Sequence, residues 1–546
     1  MEIKPKPKVA YFCMEYGLDS EFKLYAGGLG ILAGDYLKAA KDNSLPVVGI
    51  GLLWKEDYTQ QYIGNGGYPY DTFPKFNYDF LKDTDIKVVV NISGRDVYCK
   101  VWKVDDFNNA PLYLLDTDIE ENKDWLINDQ LYGGFSHRRI PQEMVLGIGG
   151  IRALRKLGID IDIYHFNEGH AVFAGIELIR EKMYEQNMSF QEAWKNTRNQ
   201  IVFTTHTPVR AGNEEHDLSL MWEKGAYNWL SYDQITAIGG DPFNMTIAGL
   251  RLSKISNAVS QLHCETANRM WNFVDNRSQI IGITNGVHKA TWMDSRMEEA
   301  FKGNRGLWET HVELKKELIE FVKNRTGVNF KPDSLLIGFA RRSTEYKRST
   351  LILKDEEKLS KLLKEKKIQL LFSGKAHPQD FEGKSFVQEI VNISQKHPDT
   401  IAFLENYDME IAKKMTRGCD VWLNSPRRPH EASGTSGMKA AMNGVLNLSI
   451  LDGWWPEACN HGVNGWQFGD SFHSENSKEQ DRYDLKSLYK VLLNEVLPTY
   501  YNNRQKWIQM MKSSIDTVYE KFSAKRMILE YFNKIYTLDP SKQFQY

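Results

Sequence analysis

The chain has 546 residues, 42% hydrophobic and 26% charged, which is too long for one hydrophobic core and too apolar for extended disorder, so at least two folded domains are expected. Its 69 basic against 71 acidic residues leave no electrostatic footprint for nucleic acid or an anionic membrane, so any anion site must be local. Five scattered cysteines without paired spacing (Cys13, Cys99, Cys264, Cys419, Cys459) fit a reduced cytoplasm, and no apolar stretch approaches the roughly 20 residues of a bilayer span.

The charged, proline-punctuated start carries no export signal. Strand-like runs then alternate with helical ones: strand at 8–13, helix at 29–42, strand at 46–53, strand at 161–166, helix at 171–186, strand at 200–204. A second series of candidate parallel strands lies at 335–340, 369–372, 400–403, 420–424 and 445–451. This rhythm predicts an α/β protein of two doubly wound halves, 1–290 and 291–546, with a charged amphipathic helix at 304–329 after the boundary. From 484 to 536 apolar positions recur at helical spacing, broken at Pro498, which predicts terminal helices packing back.

Three segments carry anion chemistry. Residues 25–35, Tyr-Ala-Gly-Gly-Leu-Gly-Ile-Leu-Ala-Gly-Asp, form a glycine-rich turn that opens a helix, where unpaired backbone N–H groups and the helix dipole favour an anion. Gly28-x-Gly30-x-x-Ala33 also fits the dinucleotide fingerprint, but it does not directly follow the first strand as that motif requires; a tight turn needing glycine is the plain alternative. Residues 341–348, Arg-Arg-Ser-Thr-Glu-Tyr-Lys-Arg, put cations just after a buried strand, where open α/β sheets bind ligands. Charge runs are usually solvated faces, but a rigid Arg fork and a Lys point charge at a strand end suit phosphate. Residues 431–439, Glu-Ala-Ser-Gly-Thr-Ser-Gly-Met-Lys, set small residues and hydroxyls ahead of Lys439, among apolar neighbours where an amine can be desolvated for Schiff-base chemistry; a lone lysine is otherwise a surface solubiliser.

On these segments the chain resembles the α-glucan phosphorylases, the glycogen and maltodextrin enzymes, in their compact prokaryotic branch. The family pattern Glu-Ala-Ser-Gly-Thr-Gly-Asn-Met-Lys matches 431–439 except for Ser436-Gly437, and Lys-Arg-x-x-Glu-Tyr-Lys-Arg matches 341–348 except for Arg341. The resemblance runs from about residue 8 to about residue 470. It implies a glycosyltransferase B type fold, two Rossmann-like domains with a cleft between them, and pyridoxal 5′-phosphate carried by Lys439. It also implies retaining phosphorolysis of α-1,4-glucan by inorganic phosphate to glucose 1-phosphate, with the cofactor phosphate relaying the proton.

Residue by residue, the resemblance makes Arg342 the substrate-phosphate arginine and Lys347 a ligand shared between the two phosphates, and gives catalytic roles to His206 and Lys439. It assigns Arg341, Gly28, Thr435, Ser436 and Tyr407 to the cofactor surroundings. Gly27, Gly28 and Leu29 present backbone donors. His206 and Asn285 address the terminal glucose, Glu431, Ser433 and Gly434 its other hydroxyls, and His170 the substrate. The polar turn His165, Asn167, Glu168, His170 lacks the HExxH spacing, so no metal is expected. A homo-oligomer is compatible with the sequence. The alternatives are a nucleotide-sugar glucan synthase of the same fold, which has no use for Lys439, and an inactive glucan-binding protein.

Overall fold

Apolar runs buried on both faces, such as Val9–Phe12 and Leu335–Ala340, are what a parallel sheet covered by helices requires. The computed structural model describes residues 6–209, 212–303, 306–470 and 472–537. They divide into two units: Met1–Tyr58, Phe73–Thr284 and Ala524–Tyr546 form the first, and Thr59–Thr72 with Asn285–Ser523 the second.

The first unit is built on nine strands in the order Gln279–Gly282, Ile255–Ala258, Ile201–Thr204, Ile163–Asn167, Val9–Phe12, Val47–Leu52, Leu112–Asp116, Arg95–Val104, Lys82–Ile92. The first seven run parallel; the last two add an antiparallel edge. That edge hairpin has no counterpart in the sequence-based expectation. Its strands alternate buried and exposed side chains, and Ser93 and Gly94, at φ 52 and 75, make the two-residue turn that matches strand twist. The direction of chain order reverses between Val9–Phe12 and Ile163–Asn167, whose carboxyl ends therefore flank the crevice where such sheets take ligands.

The second unit holds six parallel strands in the order Ile401–Leu404, Ile368–Ser373, Leu335–Ala340, Val421–Asn424, Leu446–Ile450, Gly465–Phe468. Counted along this unit the order is 3-2-1-4-5-6, the dinucleotide-fold arrangement, and it reverses between Leu335–Ala340 and Val421–Asn424. Arg341 leaves the first of these strands and the loop to Glu431 leaves the second. The hairpin of Gln60–Ile63 and Pro69–Thr72 belongs to this unit: Lys384 Nζ pairs with Asp71 Oδ2 at 2.5 Å, and the Gln61 amide exchanges hydrogen bonds with Ala376 N and O at 3.0 and 3.2 Å.

The break expected at Pro498 does not occur. Helix Ser477–Val491 passes through a π-helical turn at Leu492–Val496 into Leu497–Asn502, so Pro498 falls in the first turn of the last piece. The wider turn accommodates the ring and its missing N–H. The final helix, Ala524–Lys534, packs in the first unit's core through Met527, Ile528, Tyr531 and Phe532.

Candidate functional site

In the second unit the chemistry gathers at the strand-order reversal. Arg341 Nη2 donates to Glu431 Oε2 at 2.6 Å, and Lys347 Nζ reaches the same oxygen at 3.0 Å and Oε1 at 3.4 Å. Burial alone would raise the Glu431 carboxyl, but the Arg341 guanidinium and the Lys347 ammonium outweigh it and hold its pKa at about 2. Asp452, which no sequence motif signalled, fixes the backbone beneath: its Oδ2 accepts from Glu431 N and its Oδ1 from Gly453 N, both at 2.9 Å. Burial and the neighbouring Glu431 charge push Asp452 up to about 7. Arg342, by contrast, is exposed. Arg348 is buried in a structural role, spanning Ser425 O, Pro426 O, Asp481 and Asp484. Tyr407 packs half-buried beside this core; burial raises its hydroxyl while the Arg341 charge pulls the other way.

Lys439 is buried on the helix Thr435–Met442, which starts from Gly434 at φ 80, a backbone only glycine takes readily. Its Nζ lies 3.6 Å from the centroid of the Trp292 ring, a cation–π seat. Asn443 Nδ2 binds both Lys439 O and Trp292 O, at 2.9 and 3.0 Å, and so fixes ring and lysine together. Thr435 opens this helix. Ser436 Oγ accepts from Trp422 Nε1 at 3.2 Å, so its hydroxyl is tied to the core. Ser433 Oγ and Arg341 Nη1 are buried with no hydrogen-bond partner among the described residues. Asn285 is buried at the start of this unit.

In the first unit the glycine-rich turn leads into helix Gly28–Asp42. A Cβ on Gly27 or Gly28 would meet nothing within 4 Å, so the turn is open to a ligand. Its donors are already partly committed. Glu15 Oε2 accepts from Ala26 N at 2.8 Å and Gly27 N at 3.1 Å, and Tyr132 OH donates to Glu15 Oε1 at 2.9 Å. The Gly27 N–H is thus engaged by Glu15, while Gly28 and Leu29 are the first two residues of the helix, whose N–H groups have no intrahelical acceptor.

His206 follows strand Ile201–Thr204. Its Nε2 meets Asn167 Oδ1 at 2.6 Å while Asn167 Nδ2 donates to Cys13 Sγ at 3.3 Å, so Nε2 carries the proton and Nδ1 is left as an acceptor. Burial lowers the pKa of His206 to about 3, which keeps the ring neutral. Glu168, at φ 78, accepts from His206 N and from Thr207 Oγ1. His170, lowered to about 3 by burial, has an Nδ1 without a partner among the described residues. His165 is a core residue, held by Tyr536 OH and Thr204 Oγ1 at 2.6 and 2.7 Å.

Glu143, Glu214 and His216 bring ligand atoms within 4.8 Å of one another. Arg139 lies 2.9 Å from Glu214 Oε2 and 3.4 Å from Glu143 Oε1, and His216 Nε2 lies 2.8 Å from Glu143 Oε2, so these buried groups pair with one another.

Two doubly wound units, with cations at one strand-order reversal and a glycine-rich turn at the other, define an α/β protein of the glycosyltransferase B type. Residues 295–491 match the carbohydrate phosphorylase family. The maltodextrin phosphorylase of Thermococcus litoralis is 42% identical over 97% of this chain and 70% of its own. The glycogen phosphorylase of Aquifex aeolicus is 38% identical over 97% and 86%, and an uncharacterized protein of Methanocaldococcus jannaschii is 37% identical over 96% and 99%. The chain belongs to the carbohydrate phosphorylase family of glycosyltransferase enzymes.

Proposed function

We propose that this enzyme is an α-glucan phosphorylase that splits terminal α-1,4 bonds with inorganic phosphate to give glucose 1-phosphate, using pyridoxal 5′-phosphate at Lys439. The observation that carries the reading is the convergence of Arg341 and Lys347 at a strand-order reversal, on the same unit as a buried lysine seated on an indole. The donors around Lys439 fit the cofactor: a buried amine for its aldehyde, the Trp292 ring beside it, a helix N-terminus with Gly434 that lets backbone approach, and the unspent Arg341 Nη1.

When bound, the cofactor supplies a phosphate that can pass a proton to and from inorganic phosphate. Two dianions about 5 Å apart at an effective dielectric of about 20 repel by on the order of 10 kcal/mol, so fixed cations are needed. Arg341 and Lys347 are buried to supply them, and Arg342, exposed just after the same strand, is the residue this reading assigns to the incoming phosphate. His206 is neutral, with its Nε2 proton engaged by Asn167 Oδ1, so Nδ1 accepts from and orients a sugar hydroxyl.

The holoenzyme, given maltodextrin and inorganic phosphate, is expected to release glucose 1-phosphate and to extend a primer from glucose 1-phosphate without a nucleotide sugar. Lys439→Ala should abolish both, and borohydride should fix the cofactor to the peptide carrying Lys439. Extension only from a nucleotide sugar, unaffected by Lys439→Ala, would instead establish the synthase.

A further inference from the structure

One carboxylate holds both buried cations. Glu431 lies 2.6 Å from Arg341 Nη2 and 3.0 Å from Lys347 Nζ, with side chains 11% exposed for Glu431 and Lys347 and 6% for Arg341. Under the phosphorolysis reading, on which this inference rests, the cations belong to phosphate and Glu431 to sugar hydroxyls. A phosphate group that takes Arg341 and Lys347 competes with the carboxylate for the same donors. We propose that Glu431 is an exchange ligand: phosphate displaces its carboxylate from Arg341 and Lys347, the glucan's hydroxyls then take it up, and the two substrates bind with positive coupling.

The physical argument is the cost of a stranded buried charge. Phosphate binding alone removes both counterions from a carboxylate that is almost wholly out of water, and an unpaired buried charge is strongly unfavourable. Sugar hydroxyls can hydrogen-bond that carboxylate, so glucan relieves what phosphate imposes. The main chain is built for a side-chain swing rather than a loop movement. Asp452 pins Glu431 N, and two glycines flank the side chain: a Cβ on Gly434 or Gly453 would stand 3.3 or 3.2 Å from Glu431 Cγ. Both glycines sit at positive φ, 80 and 58. Ser433 Oγ, buried and without a partner among the described residues, is a further group that sugar hydroxyls can use beside Glu431.

The test is equilibrium titration of the holoenzyme with inorganic phosphate, with and without saturating maltodextrin. Wild type should bind phosphate about fivefold or more tightly when glucan is present, and glucan affinity should rise by the same factor with phosphate, as linkage demands. Glu431→Gln keeps the shape and removes the competing charge, so it should bind phosphate alone about fivefold or more tightly than wild type, with little further effect of maltodextrin. Wild type that binds both ligands without coupling, or a folded Glu431→Gln that binds phosphate no more tightly, overturns the inference and leaves the phosphorolysis reading standing. Wild type that binds neither ligand overturns both. The reciprocal wild-type measurement decides the matter even if the glutamine variant fails to fold.

Discussion

A Cβ on Gly437 would lie 2.6 Å from Asn447 Oδ1, 3.0 Å from Trp454 Nε1 and 3.3 Å from Asn424 Nδ2. Asn447 is fully buried, and its Nδ2 donates to Gly437 O at 3.0 Å. The departure from the Gly-Asn of the family pattern thus has a physical counterpart: the neighbouring strand sends an asparagine into the space beside the helix that carries Lys439. Gly437→Asn should overpack this seat at a cost of about 1–3 kcal/mol, lowering the melting temperature and the cofactor absorbance of the purified protein. Adding Asn447→Ala should recover part of both; a Gly437→Asn protein with unchanged melting and absorbance would refute the interlock. At this scale the sequence made Arg341, Lys347, Glu431 and Lys439 visible because they stand in local patterns beside glycines and strand ends. Glu15, Asp452 and Asn447 act across the chain on backbone groups, and spacing carries no trace of such contacts.

Helix Leu307–Thr326 is joined to the second unit's sheet by a buried triad. Asp420, just before strand Val421–Asn424, accepts from Lys315 Nζ at 2.6 Å, His311 Nε2 at 2.8 Å and Leu336 N at 2.7 Å. Burial raises the Asp420 carboxyl, but Lys315 and His311 outweigh it and leave the pKa below the ordinary value. A depressed folded pKa stabilises the fold above the unfolded value of about 3.9 and loses that contribution as pH falls below it. Asp420→Asn strands a buried lysine and should cost about 3–5 kcal/mol near neutral pH, with the gap to wild type narrowing below about pH 4. Denaturant melts of both proteins across that range check it, and a constant gap rules it out. The strands here were legible to within a residue or so because they are short apolar runs bounded by polar turns, as at 335–340. Gly465–Phe468 and the edge hairpin were not, the first because a glycine and a glutamine interrupt its apolar run and the second for its many charged, exposed positions.

The chain visits each unit more than once, and the last visit closes the first unit. Tyr536 OH lies 2.6 Å from both Tyr36 OH and His165 Nδ1; His165 Nε2 meets Thr204 Oγ1 at 2.7 Å, and Asn257 Nδ2 donates to Tyr531 OH at 2.9 Å. One buried network therefore ties the segment after Ala524 to three parallel strands and to helix Gly28–Asp42, whose N-terminus carries the open glycine turn. Helical periodicity pointed to terminal helices, but which core would receive them depends on partners hundreds of residues away. Tyr536→Phe keeps the ring packing and leaves Tyr36 and His165 each short of a partner, at a cost of about 1–3 kcal/mol. Because the two units need not unfold together, one melting temperature is a poor readout, and hydrogen exchange resolved by peptide is the measurement. Exchange should quicken in 28–42, 163–167 and 201–204 and stay unchanged in 335–340 and 421–424, with removal of residues from 524 onward producing the same pattern more strongly. Equal quickening in both sets, or none in the first, would mean that the network does not hold the first unit closed.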